Sequence, residues 1–506
     1  MLNYKNYEAS NISIVYNQCY SKSDHHTLVI SFSSPTEATW QQLPHGKTLF
    51  SRWQASKIDN LETFFTMLPN DLGTNIAIIN LEKYKSTYKR LEIIRKQIVQ
   101  IACDKPKVLN IILTGAQEQD PTQAQEAEII NHIIACAGSF YTLLPRISKK
   151  IDITPNKDLE LHVYGARYNN HNHERAIAEV HGNGLTRFLC NFPANYLYPE
   201  VYSDYVKQIA QEQSWQYEFL DINILKQKNA GAFLAVVQGS SRKDAGIVKL
   251  TYIPKNLSKT NKTKTISLVG KGMCFDTGGY NLKTPLGSMY SMNHDMTGSA
   301  IVLGTLLALS NLKVPFKIEA WLALAQNDIG PDAYKPSDVV YASNGMSIEV
   351  INTDAEGRMV LCDTLHLASL DKPDLIMDYA TLTGSCVRAL DELYSGVVTN
   401  RSDWNNKLIE IGQECGERVW PFPYTEDYDE VLKSDIADIK QCHEGPADQI
   451  RAARFLGKFI ENNIPWIHID LSSHAHKGGL AHINTETTGF GVRFTLSCLL
   501  DNNLLQ

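Results

Sequence analysis

Residues 352–358 read Asn-Thr-Asp-Ala-Glu-Gly-Arg, and this run narrows the possible fold more than any other part of the chain. It crowds two carboxylates (Asp354 and Glu356), a glycine and the guanidinium of Arg358 into seven positions. A strand-like stretch, 347–350, precedes it, and an apolar, helix-like stretch, 359–370, follows. Charge concentrated where a strand turns into a helix belongs to layered α/β folds, which build their sites on those loops. Acids that open a helix also complement its dipole, so this run alone still allows a purely structural explanation.

A second run makes that explanation insufficient. Residues 268–279 read Leu-Val-Gly-Lys-Gly-Met-Cys-Phe-Asp-Thr-Gly-Gly, followed by Lys283 and then by His294-Asp295-Met296-Thr297-Gly298. An apolar, β-branched lead-in that breaks into glycines around a lone Lys and Asp reads as a strand entering a site loop. The two runs together offer four carboxylates (Asp276, Asp295, Asp354, Glu356), two lysines (Lys271, Lys283) and Arg358. Four neighbouring carboxylates repel one another unless cations neutralise them. Hard divalent ions with oxygen ligands do this, and pairs of such ions roughly 3.5–4 Å apart are a known hydrolytic arrangement. An ammonium and a guanidinium nearby stabilise a developing oxyanion or hold an anion.

With both runs in view, the chain resembles the leucyl aminopeptidase (cytosol aminopeptidase) family of dinuclear-metal exopeptidases. The resemblance rests on 352–358, on 270–279 with Lys283, and on the run Asp378-Tyr379-Ala380-Thr381-Leu382-Thr383-Gly384. Residues 187–195, 434–438 and 466–470 resemble that family more loosely, and the likeness covers about 170–500. It implies two divalent ions per subunit, manganese, zinc or magnesium, held by Lys271, Asp276, Asp295, Asp354 and Glu356, with Asp276 and Glu356 shared. It further implies that Lys283 faces the substrate carbonyl and that Arg358 holds a bicarbonate-like anion as general base. Leu382 would offer its carbonyl to the amine, and Thr381, Gly384 and Met292 would line the pocket for the first side chain. A lysine ligates a metal only as the neutral amine, so the resemblance also implies a depressed pKa for Lys271 beside two dications. The implied activity is removal of N-terminal residues, bulky and apolar ones foremost, from peptides by a homohexamer. The alternative from another class is a catalytically silent structural or binding homologue, but all five ligand side chains, Lys283 and Arg358 are present.

The chain departs from the family pattern in places. The segment between Lys283 and Asp295 is one residue longer, which bears on Met292 more than on Asp295. Tyr280-Asn281-Leu282 replaces a smaller or more polar stretch, and Ser337 stands where Gly is common. The His-rich run 474–482 reads as a solvated loop or, alternatively, as an element beside the metal ligands or pocket, and 168–172 reads as a solvated turn.

With 506 residues, 43% of them hydrophobic, the chain can bury two or three cores. A net charge of −7 without a basic block disfavours nucleic acid. No apolar run is long enough to span a membrane. Ten cysteines without CxxC spacing suggest reduced thiols, and Met1-Leu2-Asn3-Tyr4-Lys5 lacks a signal pattern; both predict a cytoplasmic protein.

Apolar β-branched stretches at 26–32, 75–79 and 108–113, with a helical pattern over 122–144, predict a small N-terminal α/β domain at 1–150. A junction is expected at 151–172 and the catalytic domain at 173–506. There, strands are expected at 232–237, 265–269, 318–325, 339–342, 375–379 and 467–471, and helices at 297–309, 357–370, 404–415 and 446–460. An exposed loop is expected at 255–264. The predicted class is α/β, with a mixed, mostly parallel catalytic sheet sandwiched by helices.

Overall fold

The structure is a computed structural model that describes residues 7–17, 24–56, 62–115, 121–145, 158–255, 263–284, 288–502 and 504. The first five residues, most of 255–264, the start of the 151–172 segment and Pro285-Leu286-Gly287 of the lengthened loop lie outside the described residues.

Two large sheets organise the chain. The first has six strands, in spatial order Asn11–Asn17, Asp158–Tyr164, Val108–Thr114, Thr27–Ser31, Asn75–Asn80 and Thr63–Met67. All pair in parallel except the last, an antiparallel edge. Helices Thr87–Ile101 and Gln123–Tyr141 pack on it through Leu91, Ile94, Ile98, Ile129 and Ile133. The second helix opens with the capping box Thr122/Gln125. Asp158–Tyr164 falls inside the segment read as a junction, yet it is an inner strand of this sheet.

The second sheet runs Val419–Pro421, Ser395–Thr399, Trp466–Asp470, Leu375–Ala380, Thr265–Asp276, Lys317–Asn327, Gly246–Tyr252 and Gln216–Asp221. Its four central strands are parallel. They are buried on both faces, which is why their sequences are apolar runs rather than alternations. One face is covered by helices Glu174–Cys190 and Thr297–Asn311, the other by Glu356–Leu370 and Asp448–Gly457. The strands expected at 339–342 and 347–350 form a separate three-stranded sheet with Ile439–Lys440.

One assignment is corrected. Residues 232–237 are not a strand but lie in a helix, Gly231–Val237. A short, wholly buried apolar run has no periodicity to separate the two states. Here the helical state is fixed from outside by the buried Asp363 carboxylate, which accepts from Phe233 N at 2.8 Å.

The His-containing segments are only partly solvated: Tyr168, Asn169, Asn170, Asn172, Lys477 and Gly478 are exposed, while the His171 side chain and residues 479–482 are buried. His171 Nε2 lies 3.1 Å from Glu126 Oε1, and both side chains are almost wholly enclosed. Glu126 also accepts from the backbone N–H groups of Arg167 and Tyr168, so this carboxylate organises the turn. His482 is buried, and its neighbours Leu480 and Ala481 join the core of the first sheet. Arg95 donates to the carbonyls of Ala481 and Gly478. The first sheet is thereby joined to the segment 478–482, which reads in the sequence as a solvated loop.

Nearby, the buried Glu417 accepts from the N–H groups of Gly491 and Phe494, at 2.9 and 2.8 Å, and burial pushes its pKa up from 4.5 to about 7. The folded chain therefore keeps a proton there that the unfolded chain releases. Stability is expected to fall by roughly 3 kcal/mol as pH rises between these two values, and to stay level above them, from this group alone. Glu417→Gln should remove that slope. Urea unfolding at about pH 5 and about pH 8 measures it, and equal slopes in wild type and variant would refute the assignment.

Candidate metal and catalytic centre

The site forms at the C-terminal ends of the four parallel strands. Asp276 closes one, Asn327 closes its neighbour, Thr381 follows the end of the third, and Asp470 closes the fourth. Two helix starts complete it: Glu356 is the first residue of its helix, and Asp295 lies just before Thr297–Asn311. Both carboxylates thus sit at positive helix ends.

Lys271 Nζ lies 2.8 Å from Asp295 Oδ1 and 2.9 Å from Glu356 Oε1, and it donates to Thr381 O at 3.1 Å. Thr381 Oγ1 donates to Asp295 Oδ1 at 2.8 Å. Lys283 Nζ lies 2.9 Å from Asp276 Oδ2 and 2.5 Å from Asp354 Oδ1. Six of the residues singled out in the sequence are therefore one interlocked charge cluster, with Thr381 at its edge. Glycines make it possible. Gly278 and Gly279 take φ of +86° and +62°, so that the loop returns Lys283 N to Thr277 O at 2.9 Å. At Gly357, a Cβ would lie 2.6 Å from both Cε and Nζ of Lys271.

Gly357→Ala is thus expected to displace the Lys271 amine. Activity should fall by on the order of 10²-fold, as misplacement at a reacting centre does. The thermal midpoint should shift little, because helix propensity gained offsets crowding. An unchanged kcat/KM would show that the position of Lys271 does not matter.

Burial raises the pKa of Glu356, with Asp276 adding to it, and raises that of Asp354, with Glu356 adding. Asp295 is pushed up to about 8 by burial, with Glu356 and Asp276 adding and Lys271 opposing. For the two lysines, burial works against the charge, but the carboxylates outweigh it and hold both above the usual lysine range. The protein groups alone therefore shift Lys271 opposite to the direction that ligation needs, so ligation by its neutral amine would require the field of bound cations.

The donor set fits hard divalent ions. One carboxylate oxygen each of Asp276, Asp354 and Glu356 lies within 4.8 Å of the others. Asp295 Oδ2 is buried without a hydrogen-bond partner among the described residues. Carboxylate-rich donors of this kind suit hard divalent ions.

The remaining candidates lie around this cluster. Met292 and His294 stand in the short turn Met292–His294, with the His294 ring 6.3 Å from that of His474. Leu382 N and Thr383 N contact Asp470 Oδ1 at 3.2 and 3.3 Å, and Gly384 is exposed at the start of the next helix. Arg358 is buried and donates to Asp448 and to Gln441 O. A cavity of about 210 Å³, lined by Asn195, Tyr198, Arg242, Phe275 and Gln326 among others, includes none of the candidates.

Several supports had no signal in the sequence. Asn327 Nδ2 donates to Asp276 Oδ1 at 2.8 Å and to Thr353 O at 3.0 Å, while Tyr334 OH donates to the same carbonyl at 2.8 Å. Asn281, read as a departure from the family, accepts from Thr353 N at 3.0 Å and latches the two site loops. Ser337, in place of the common Gly, holds φ +75°.

The catalytic-domain pattern of the cytosol aminopeptidase family matches residues 184–496. A probable cytosol aminopeptidase of Wolbachia pipientis wMel is 40% identical over 331 residues, 64% of this chain and 65% of that protein. One from Desulfovibrio desulfuricans is 42% identical over 291 residues, 57% of each. The chain thus spans less than two thirds of the length of either relative. A third, from Buchnera aphidicola, is 33% identical over 421 residues, 78% of this chain and 82% of that protein. The solved structure of a mutant tomato leucine aminopeptidase superposes with a TM-score of 0.82 at 25% identity, covering 99% of both chains.

Proposed function

Since this chain belongs to the cytosol aminopeptidase family, we propose that it is a metal-dependent aminopeptidase that hydrolyses the N-terminal residue from peptides, bulky apolar residues foremost. The observation that carries this reading is the cluster of Asp276, Asp295, Asp354 and Glu356 with Lys271 and Lys283 at the strand ends.

The four carboxylates and the Lys271 amine would hold two divalent ions, with manganese, zinc and magnesium as candidates. When bound, such ions supply Lewis acidity and water of lowered pKa. The protein groups do the rest. Lys283, paired with Asp276 and Asp354, would meet the charge that develops on the scissile carbonyl oxygen. The turn after Ala380 would offer the Leu382 carbonyl to the leaving-amine side of the scissile bond, and Asp470 fixes that turn through the Leu382 and Thr383 N–H groups and through Thr383 Oγ1 at 2.6 Å. Met292, Thr381 and Gly384 border the first side chain. With the ions bound, the free amino group of the substrate would be a further ligand, which accounts for exopeptidase rather than endopeptidase action.

Residues 1–150, together with the strand Asp158–Tyr164 that lies inside their sheet, are assigned to a regulatory or assembly domain, the rest of 151–172 to the junction and 173–506 to the catalytic domain. The proposed assembly is a homohexamer in the cytoplasm, the compartment in the relatives' names. No helix among the described residues is long and apolar enough to cross a membrane.

Paired substrates test the reading. Leucine-p-nitroanilide should be hydrolysed and its N-acetyl form should not. Equal cleavage of both would exclude an aminopeptidase.

A further inference from the structure

Arg358 is among the largest side chains that the protein encloses, 2% exposed. A guanidinium so buried needs an anion beside it, and the chain supplies one. Both carboxylate oxygens of Asp448 accept from Nη2, at 3.0 and 2.8 Å, while Gln441 O accepts from Nη1 at 3.3 Å. Burial works against the Arg358 charge, but Asp448 outweighs it. Asp448 is the first residue of the helix Asp448–Gly457, where the helix dipole favours an anion. Gln449 N donates to Ser385 Oγ at 2.9 Å, so the start of this helix is tied to the turn that carries Thr381 and Leu382. The Asp448 side chain is 27% exposed. The carboxylate paired with Arg358 is thus in contact with solvent while the guanidinium is not.

We infer that Asp448 is the built-in anion of Arg358, standing where a dissolved bicarbonate-like anion would otherwise bind, and that turnover consequently needs no such anion. The inference rests on the aminopeptidase reading for its effect on rate. Two anions on one buried guanidinium, beside four carboxylates already close by, would repel one another. The attached carboxylate also has the intramolecular advantage over any dissolved competitor. Asp448 acts through Arg358 and is in that sense a positioning residue.

The test compares wild type with Asp448→Asn, each checked for folding by circular dichroism and loaded with zinc, which is diamagnetic. Sodium bicarbonate is titrated in, with sodium formate as a second anion and chloride as the ionic-strength control. One readout is hydrolysis of leucine-p-nitroanilide; the other is broadening of the carbon-13 signal of labelled bicarbonate, which does not depend on turnover. Wild type should be insensitive to bicarbonate and should not broaden the signal. The variant should be slower by on the order of 10²-fold in carbonate-free buffer, regain most of that with bicarbonate or formate, and broaden the signal. Asp448→Gly serves in the same way if the Asn variant misfolds. Stimulation of wild type by bicarbonate, or a variant that is neither slowed nor rescued, would overturn the inference. If wild type hydrolyses nothing, the aminopeptidase reading fails by itself. The carbon-13 result then still decides: binding by the variant alone supports the built-in anion, and binding by wild type overturns it.

Discussion

Glu356→Gln is expected to abolish turnover, lowering kcat/KM by on the order of 10³-fold or more, in a protein that remains folded. Glu356 is 1% exposed, opens its helix and lies 2.9 Å from Lys271 Nζ. Its carboxyl is already raised in pKa by burial and by Asp276, so it is held charged at a cost. Glutamine keeps the shape and removes one charge from a self-repelling set, which leaves stability unchanged or higher. What it removes is affinity for cations: bound metal, counted by atomic absorption, should fall along with the rate. Wild-type rates in a variant with wild-type metal content would refute a two-ion centre built on Glu356.

Lys283→Ala is expected to act differently. kcat should drop by on the order of 10²- to 10³-fold, the scale of removing one oxyanion donor, while bound metal is retained. Lys283 Nζ is paired with Asp276 and Asp354, and deleting that positive charge leaves two carboxylates with less neutralisation and hence more affinity for cations. Loss of metal instead of rate would mean that Lys283 is a ligand and that its role and that of Lys271 are exchanged.

The parts of this protein legible in its sequence were those in which local chemistry and fold agree. The strand ending at Asp276, its two left-handed glycines and the acid-led helix at Glu356 each carry their own signal within a dozen residues. So do the buried central strands, apolar throughout because they are covered on both faces. What could not be read were partners separated by long stretches of chain. Asn327 reaches Asp276 across 51 residues, and Asp448 reaches Arg358 across 90. In sequence, Asp448 is only an acid that opens a helix. Residues 232–237 misled because a buried apolar run is compatible with strand or helix until Asp363 caps it. The histidines at 171 and 482 misled because polarity suggests solvent, whereas Glu126 and the core of the first sheet enclose them.

The most direct test of the central claim is hydrolysis of leucine-p-nitroanilide by the full chain, stripped with chelator and then given manganese, zinc or magnesium singly. No release is expected after stripping, with recovery on addition of at least one of these ions. Undiminished release from protein shown to be metal-free, or no release with any ion from folded protein across a panel of first residues, would contradict it.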